Sequence, residues 1–487
     1  MLIKFWKGSI LFIEAKKEKV IIVFDSVLEI FKKLCSIPHG SGNTRMISDY
    51  CIQFAKNHSL KVISDEAGNV IIFKDGTNGY ENSPAVILQG HLDMVCVKTD
   101  ETQIDFETQG LTVAEDDEFI WAKGTSLGGD DGIAVAYALA VLADDKISHP
   151  PLEVVLTVDE EVGMLGAQAL DTSILKSKRL INIDSEEEDT LLVSCAGGVR
   201  ADIDLPIMRE AEFTKAISVT ISGFTGGHSG TEIDKGRLNA IITMAKLLSA
   251  ANVSRIASID GGSADNAIAV YCKAVIADTG IKDILCSEFE KIKASCQNTD
   301  TDITMIIDEC DAYQMMDKGS SRRLLSLLNQ IPNGVISFSD KIQGLVQTSL
   351  NLGIINTSDK SVLMCHALRS SVEAEKELIS EKVKNCASRF GGNIKFYADY
   401  PAWEYNEKSE LRRVICSSYE KLHGSKMKVA SIHAGLECGL FCGKIKGLDC
   451  VSMGPDIFDI HTTDEKLSKG SAERFFYLLL DVLAELK

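Results

Sequence analysis

Residues 85–93 read Ala85-Val86-Ile87-Leu88-Gln89-Gly90-His91-Leu92-Asp93. The apolar run from Ala85 has no polar break before Gln89, which predicts a short central strand buried on both faces of an α/β sheet. It ends in a glycine and then presents a histidine and an aspartate. Functional groups gather at the ends of central strands in open α/β sheets. Residues two apart in extended chain point the same way. Asp93 can therefore reach the ring of His91, accept one N–H and leave the other ring nitrogen to a metal. The plainer alternative is a surface Asp-His pair.

Working outward, helical spacing covers Ser26 to Cys35 and Thr44 to Asn57. Strand-like runs follow at Lys61–Ser64, Asn69–Phe73, Leu152–Thr157 and Leu180–Ile183. A glycine-rich turn feeds an alanine-rich helix between Gly128 and Leu142. This alternation predicts an α/β layered domain. Past Gly198 the pattern changes. Ala201–Leu205 and Lys215–Ile221 alternate apolar and polar residues, as half-buried antiparallel strands do. Helices are expected at Arg237–Leu248, 281–294, 320–330 and Ser371–Ser388. Strands are expected at Ile268–Ile276, Asp302–Asp308, Gly334–Ser339, Leu345–Ile355, Ser361–Arg369 and Asn393–Ala398. The middle region reads as an α+β insert of two similar halves. Helix Ser409–Leu422, strand Lys428–Ile432 and closing helix Ala472–Leu486 return to the first domain. The expected division is an extension over 1–24, a catalytic part over 25–200, an inserted lid over 201–399 and a second catalytic part over 400–487.

The chain has 487 residues, enough for two or three domains, with 45 % apolar and 25 % charged residues. Its net charge of −19 and the lack of a basic block argue against a nucleic-acid partner. The acidic run Glu186-Glu187-Glu188 reads as solvated surface. No apolar stretch reaches the roughly 18–20 residues that span a bilayer, so no membrane partner is expected. The 14 cysteines are scattered without a CxxC pair, which reads as reduced thiols in a cytoplasmic protein. Cys438 and Cys442, four apart, can share a helix face, but two thiols alone make a poor zinc site.

Three further strings carry acids at strand or turn ends. Gly124-Thr125-Ser126-Leu127-Gly128-Gly129-Asp130-Asp131-Gly132 sets adjacent aspartates between glycines, where their mutual repulsion invites a cation; the competing reading is a helix cap. In Thr157-Val158-Asp159-Glu160-Glu161-Val162-Gly163, neighbouring acids project differently, so one can bind metal while the other faces the attacking water. Ile183-Asp184-Ser185 supplies a further strand-end acid, and His461 sits in a polar loop. Two histidines and three carboxylates suit two zinc-like ions that share one carboxylate.

Together, HLDMV, GTSLGGDDG, DEEVG, NIDSEEE, GFTGGHSG, HAGLECG and SMGP…DIH resemble the M20 co-catalytic metallopeptidases, and among them the aminoacyl-histidine dipeptidase branch. The resemblance runs from about Phe24 to the C-terminus. It implies a mixed-sheet zinc-peptidase fold of the phosphorylase/hydrolase-like type. It also implies hydrolysis of dipeptides and short peptides by two divalent ions, with zinc foremost and cobalt or manganese suited to the same donors. By that resemblance His91 and Asp184 hold one ion, Glu161 and His461 the other, and Asp130 bridges them. Asp93 then orients His91, and Glu160 is the general base. A homodimer is implied as well. A tripeptidase or an N-acyl-amino-acid deacylase on the same scaffold is the rival activity.

The resemblance also marks substrate contacts: His228 in GGHSG, Asn266 in GGSADNAIA, Arg369 in HALRS, and Glu437 near the substrate amine. The family continues NAIPRE where this chain reads Asn266-Ala267-Ile268-Ala269-Val270, which loosens that match. His433 reads as structural. The glycines of 223–230 fit neither a phosphate loop nor a dinucleotide fingerprint. No nucleophile elbow or HExxH helix is present.

Overall fold

The computed structural model describes residues 24–487; the expectation of an N-terminal extension lies outside them, apart from Phe24. The chain divides into two compact units. The first holds the described residues up to Ser194, together with Tyr405–Ala430 and Leu436–Lys487. The second holds Cys195–Glu404 and Ser431–Gly435.

The first unit is built on an eight-stranded mixed sheet. Its strand order is Lys61–Ser64, Val70–Lys74, Leu152–Thr157, Val86–His91, Arg179–Asn182, Asp449–Ser452, Thr190–Cys195 and Lys428–Ile432. The four strands from Leu152–Thr157 to Asp449–Ser452 run parallel. All six residues of Val86–His91 are buried, as a strand covered on both faces requires. Parallel pairing sends the C-terminal ends of these strands to one edge, and the acidic and histidine-bearing loops leave from there.

The helix that follows the glycine-rich loop, Gly129–Ala143, is buried from Gly129 to Leu142. It is apolar on every side, which suits a helix enclosed by its domain. Tyr137 stacks on Phe476 of the closing helix Lys469–Glu485 at 5.6 Å, and its hydroxyl donates to the Ala472 carbonyl. A helix over residues 24–35 buries Val27, Phe31 and Leu34 at i, i+4, i+7 spacing. A small sheet joins Ile457–Phe458, Lys466–Ser468, Phe119–Ala122 and Val113–Glu115. It ties the late loop that carries His461 to the segment before Asp130.

The second unit is an antiparallel sheet. Thr304–Met316, Arg209–Ser222, Cys272–Ile276 and Ile256–Gly262 form one half. Val346–Thr357, Ser361–Ser370, Gly197–Pro206 and Asn393–Tyr400 form the other, with Gly334–Phe338 beside Val346–Thr357. The halves meet edge to edge through Gly261–Ile355 and Gly262–Ile354, so they make one continuous sheet. Ala201, Ile203 and Leu205 are buried while their alternate neighbours are partly exposed. The inward residues pack with Met244, Leu247, Ile379 and Val383 from the helices Ala240–Ala250 and Glu373–Arg389.

The acidic run does not lie wholly in solvent. Glu187 is exposed, but Glu188 is buried, and Arg474 donates to both of its oxygens at 2.7 and 2.5 Å. A guanidinium supplied 286 positions away leaves no mark on the local string. All 14 cysteines are free. Among the described residues no helix is long and apolar enough to cross a membrane.

Candidate active site

The metal-ligand candidates gather at one edge of the parallel strands. His91 ends its strand, Glu160 and Glu161 follow Thr157, and Asp184 follows Asn182. Asp130 enters from the glycine-rich loop and His461 from the late loop. His91 Nε2 lies 3.0 Å from Asp130 Oδ1 and 3.6 Å from Asp184 Oδ1. His461 Nε2 lies 3.2 Å from Asp130 Oδ2 and 2.8 Å from Glu161 Oε1. Donor atoms of His91, Asp130 and Asp184 all fall within 4.8 Å of one another, and so do those of Asp130, Glu161 and His461. The two triads share Asp130, one through each oxygen. The cluster runs from buried His91 to His461, whose side chain is 42 % exposed.

Its electrostatics call for a cation. Burial pushes the Asp184 carboxyl up to about 8, and nearby Asp130 and Glu186 add to the shift. Burial likewise pushes Glu160 up to about 8, with Asp184, Glu161 and Asp130 adding. Glu186 is pushed to about 7 by burial and by Asp130. His91 is buried, which would lower it, yet hydrogen bonds to Asp130, Asp184 and Asp93 hold it well above its ordinary value. Two imidazoles do not balance this many carboxylates. Two divalent ions would, and mixed imidazole and carboxylate donors suit zinc. The residues present therefore fit a dinuclear centre.

Each acid beside the cluster has a distinct job. The Asp93 carboxylate accepts from Ser41 Oγ at 2.8 Å and from the amides of Glu160 and Glu161 at 3.0 and 3.3 Å. The His91 Nδ1 proton meets the Asp93 carbonyl at 2.9 Å, with the Asp93 carboxylate farther at 3.6 Å. Asp93 thus fixes the ring through its main chain and the Glu160-Glu161 turn through its side chain. Asp131 accepts the His91 amide at 3.0 Å. A Cβ on Gly90 would meet Asp131 Oδ2 at 2.5 Å and Ala134 Cβ at 2.9 Å, so only glycine fits there. Glu437 is fully buried at the start of the helix Glu437–Lys444. Gln89 Nε2 and Thr157 Oγ1 donate to its Oε2 at 2.5 and 2.7 Å, and Oε1 has no partner among the described residues. Burial and Glu160 push it up to about 8.

His228, Asn266 and Arg369 belong to the second unit. His228 bridges Ala267, and the Ser229 amide donates to the Asn266 carbonyl, so His228 and Asn266 share one loop pair. Arg369 is buried on its strand and donates to the Tyr400 hydroxyl at 3.0 Å, while its Nε has no partner among the described residues. His433 accompanies them: its Nε2 lies 2.7 Å from Ser349 Oγ, and Ser349 pairs with Arg369 across the strands. Burial first, then Arg369 and His228, press His433 down to about 3, which keeps it neutral. The reading of His433 as structural is compatible with this buried, neutral setting; Tyr400, which no motif in the sequence marked, ends its strand beside Arg369.

The model of Peptidase family M20/M25/M40 matches residues 87–485. The cytosol non-specific dipeptidase of Escherichia coli (strain K12) is 35 % identical over 470 residues, covering 94 % of this chain and 97 % of that protein. The crystal structure of aminoacylhistidine dipeptidase from Vibrio alginolyticus superposes with a TM-score of 0.89 at 35 % identity, covering 94 % of this chain and 96 % of that one. Aminopeptidase PepT from Bacillus cereus shares the fold at 16 % identity, with a TM-score of 0.56 over 95 % of this chain and 98 % of that one. The chain belongs to peptidase family M20/M25/M40 and is a dinuclear-metal-dependent exopeptidase.

Proposed function

We propose that the chain hydrolyses unblocked dipeptides, Xaa-His among them, and that the two donor triads sharing Asp130 are its metal centre. His91 and Asp184 hold one ion, and Glu161 and His461 the other. The joint geometry of these five donors carries the reading. The names of the Escherichia coli and Vibrio alginolyticus relatives support the substrate class. When bound, the ions supply Lewis acidity to the scissile carbonyl and to the attacking water; zinc is the first candidate, with cobalt or manganese suited to the same donors.

This chain's own groups do the rest. Glu160 takes the water proton and delivers it to the leaving amine, a role favoured by burial that raises its proton affinity. Asp93 holds the His91 ring and the Glu160-Glu161 turn. Residues 25–200 with 400–487 act as the catalytic domain and 201–399 as its lid. Arg369 and Asn266 receive the substrate carboxylate, His228 meets the substrate carbonyl or carboxylate, and Glu437 lies near the free amine. Recognition of both charged ends measures a dipeptide. A homodimer and a cytoplasmic setting complete the proposal; the latter fits the free thiols and the name of the Escherichia coli relative.

The test is kcat/KM on Ala-His, Ala-His-amide, acetyl-Ala-His, Gly-Gly-His and a hexapeptide. Ala-His should be cleaved fastest. Equal cleavage of the hexapeptide would refute the two-ended ruler, and faster cleavage of Gly-Gly-His or acetyl-Ala-His would favour the tripeptidase or deacylase activity.

A further inference from the structure

Glu465 is 2 % exposed, although it sits outside any helix or strand. Its carboxylate accepts three successive backbone amides: Leu127 and Gly128 on Oε2 at 2.8 and 3.3 Å, and Gly129 on Oε1 at 2.8 Å. These are the three residues before Asp130. Consecutive amides turned to one point form an anion-binding concavity, and here the chain's own carboxylate fills it. Gly128 makes the turn at φ +66°, and a Cβ there would meet Met94 Sδ at 2.9 Å.

The other end of this contact is the His461 loop. Glu465 lies four residues after His461, which holds φ +61°, with Asp459 at φ +53°. Side chains at such angles need surroundings that hold them there. Within the loop the Thr462 hydroxyl donates to the Asp459 carbonyl at 2.6 Å and accepts the Asp464 amide at 3.1 Å, and the strands on either side of it pair with each other. Glu465 therefore joins the segment carrying one donor to the segment carrying the donor common to both triads.

We propose that Glu465 is a positioning residue, a clasp that fixes Asp130 against His461 and so sets the donor spacing for both ions. This rests on the reading of Asp130 as the shared ligand. A carboxylate is needed because three amides require acceptor lone pairs on both oxygens. A glutamine would turn an NH2 toward at least one of these N–H groups.

Metal-free wild type, Glu465→Gln, Asp464→Asn and Asp130→Asn should be titrated with zinc against a chromogenic chelator, with circular dichroism reporting the fold. Glu465→Gln should weaken zinc binding by about 10- to 100-fold, the usual effect of losing a group that orients a ligand. Asp464→Asn, on the same loop without contact to these amides, should bind as wild type does. In the wild type the Leu127, Gly128 and Gly129 amides should exchange slowly with deuterium, and this measurement decides the matter if Glu465→Gln does not fold. Wild-type zinc affinity in a folded Glu465→Gln, or free exchange of the three amides, would overturn the clasp. Asp130→Asn separates the two claims: if it still binds two ions, the shared-ligand reading fails. If it loses them while Glu465→Gln keeps them, the clasp alone fails.

Discussion

His461 Nε2 lies 3.2 Å from Oδ2 of Asp130, although 331 positions separate them in sequence. The other oxygen of that carboxylate faces His91. One aspartate thus stands between two histidines from opposite ends of the chain. Asp130→Ala should leave less than one tightly held zinc per chain, measured by elemental analysis after gel filtration. Its activity should fall by about a thousandfold or more, as expected when metal chemistry is lost.

Glu160 should be separable from the metals. Glu160→Gln removes the proton carrier and leaves the five donors in place. Metal content should stay at the wild-type level while kcat falls by roughly 10²- to 10⁴-fold. Unchanged kcat would remove Glu160 from the proton path.

Protons and metal compete for this cluster. Asp184 rises from 3.8 to about 8 and Glu160 from 4.5 to about 8 in the metal-free fold. A folded-state value above the unfolded one means that the fold holds protons the unfolded chain has released. The contribution is complete below about pH 4 and is lost as pH rises through 8. At these groups the metal-free protein should therefore lose stability between pH 4 and 8, seen as a falling Tm. Zinc should cancel that loss, and zinc binding at pH 7 should release protons, read by calorimetry in buffers of different ionisation heat.

Glu188 and Arg474 should matter to stability alone. The pair is bidentate, with the Glu188 side chain 10 % exposed. The Arg474 side chain is 52 % exposed and regains water when its partner is removed, so Glu188→Ala should cost about 1 kcal/mol in a denaturant melt. The kcat of the folded fraction should not change.

The parts legible in the sequence are those whose physics is local. Val86–His91 is uniformly apolar up to its polar end, so both the strand and the turn to His91 could be read directly. The strand Ile256–Gly262 escaped because Asp260-Gly261-Gly262 breaks its pattern; its register comes from pairing with Cys272–Ile276. The strand Phe119–Ala122 was too short to stand out. Glu465 was invisible for a different reason: its partners are main-chain amides more than 300 residues away, which no residue type announces. Glu188 was misread because its cation arrives from the closing helix.

The central claim is that two ions on this donor set cleave a dipeptide. The most direct measurement is kcat/KM for Ala-His as zinc is added in steps to the metal-stripped protein, with bound zinc counted at each step. Activity should be absent without metal and should rise to its maximum at two ions per chain. Full activity in the stripped protein, or a maximum at a single ion with no second binding event, would contradict the account.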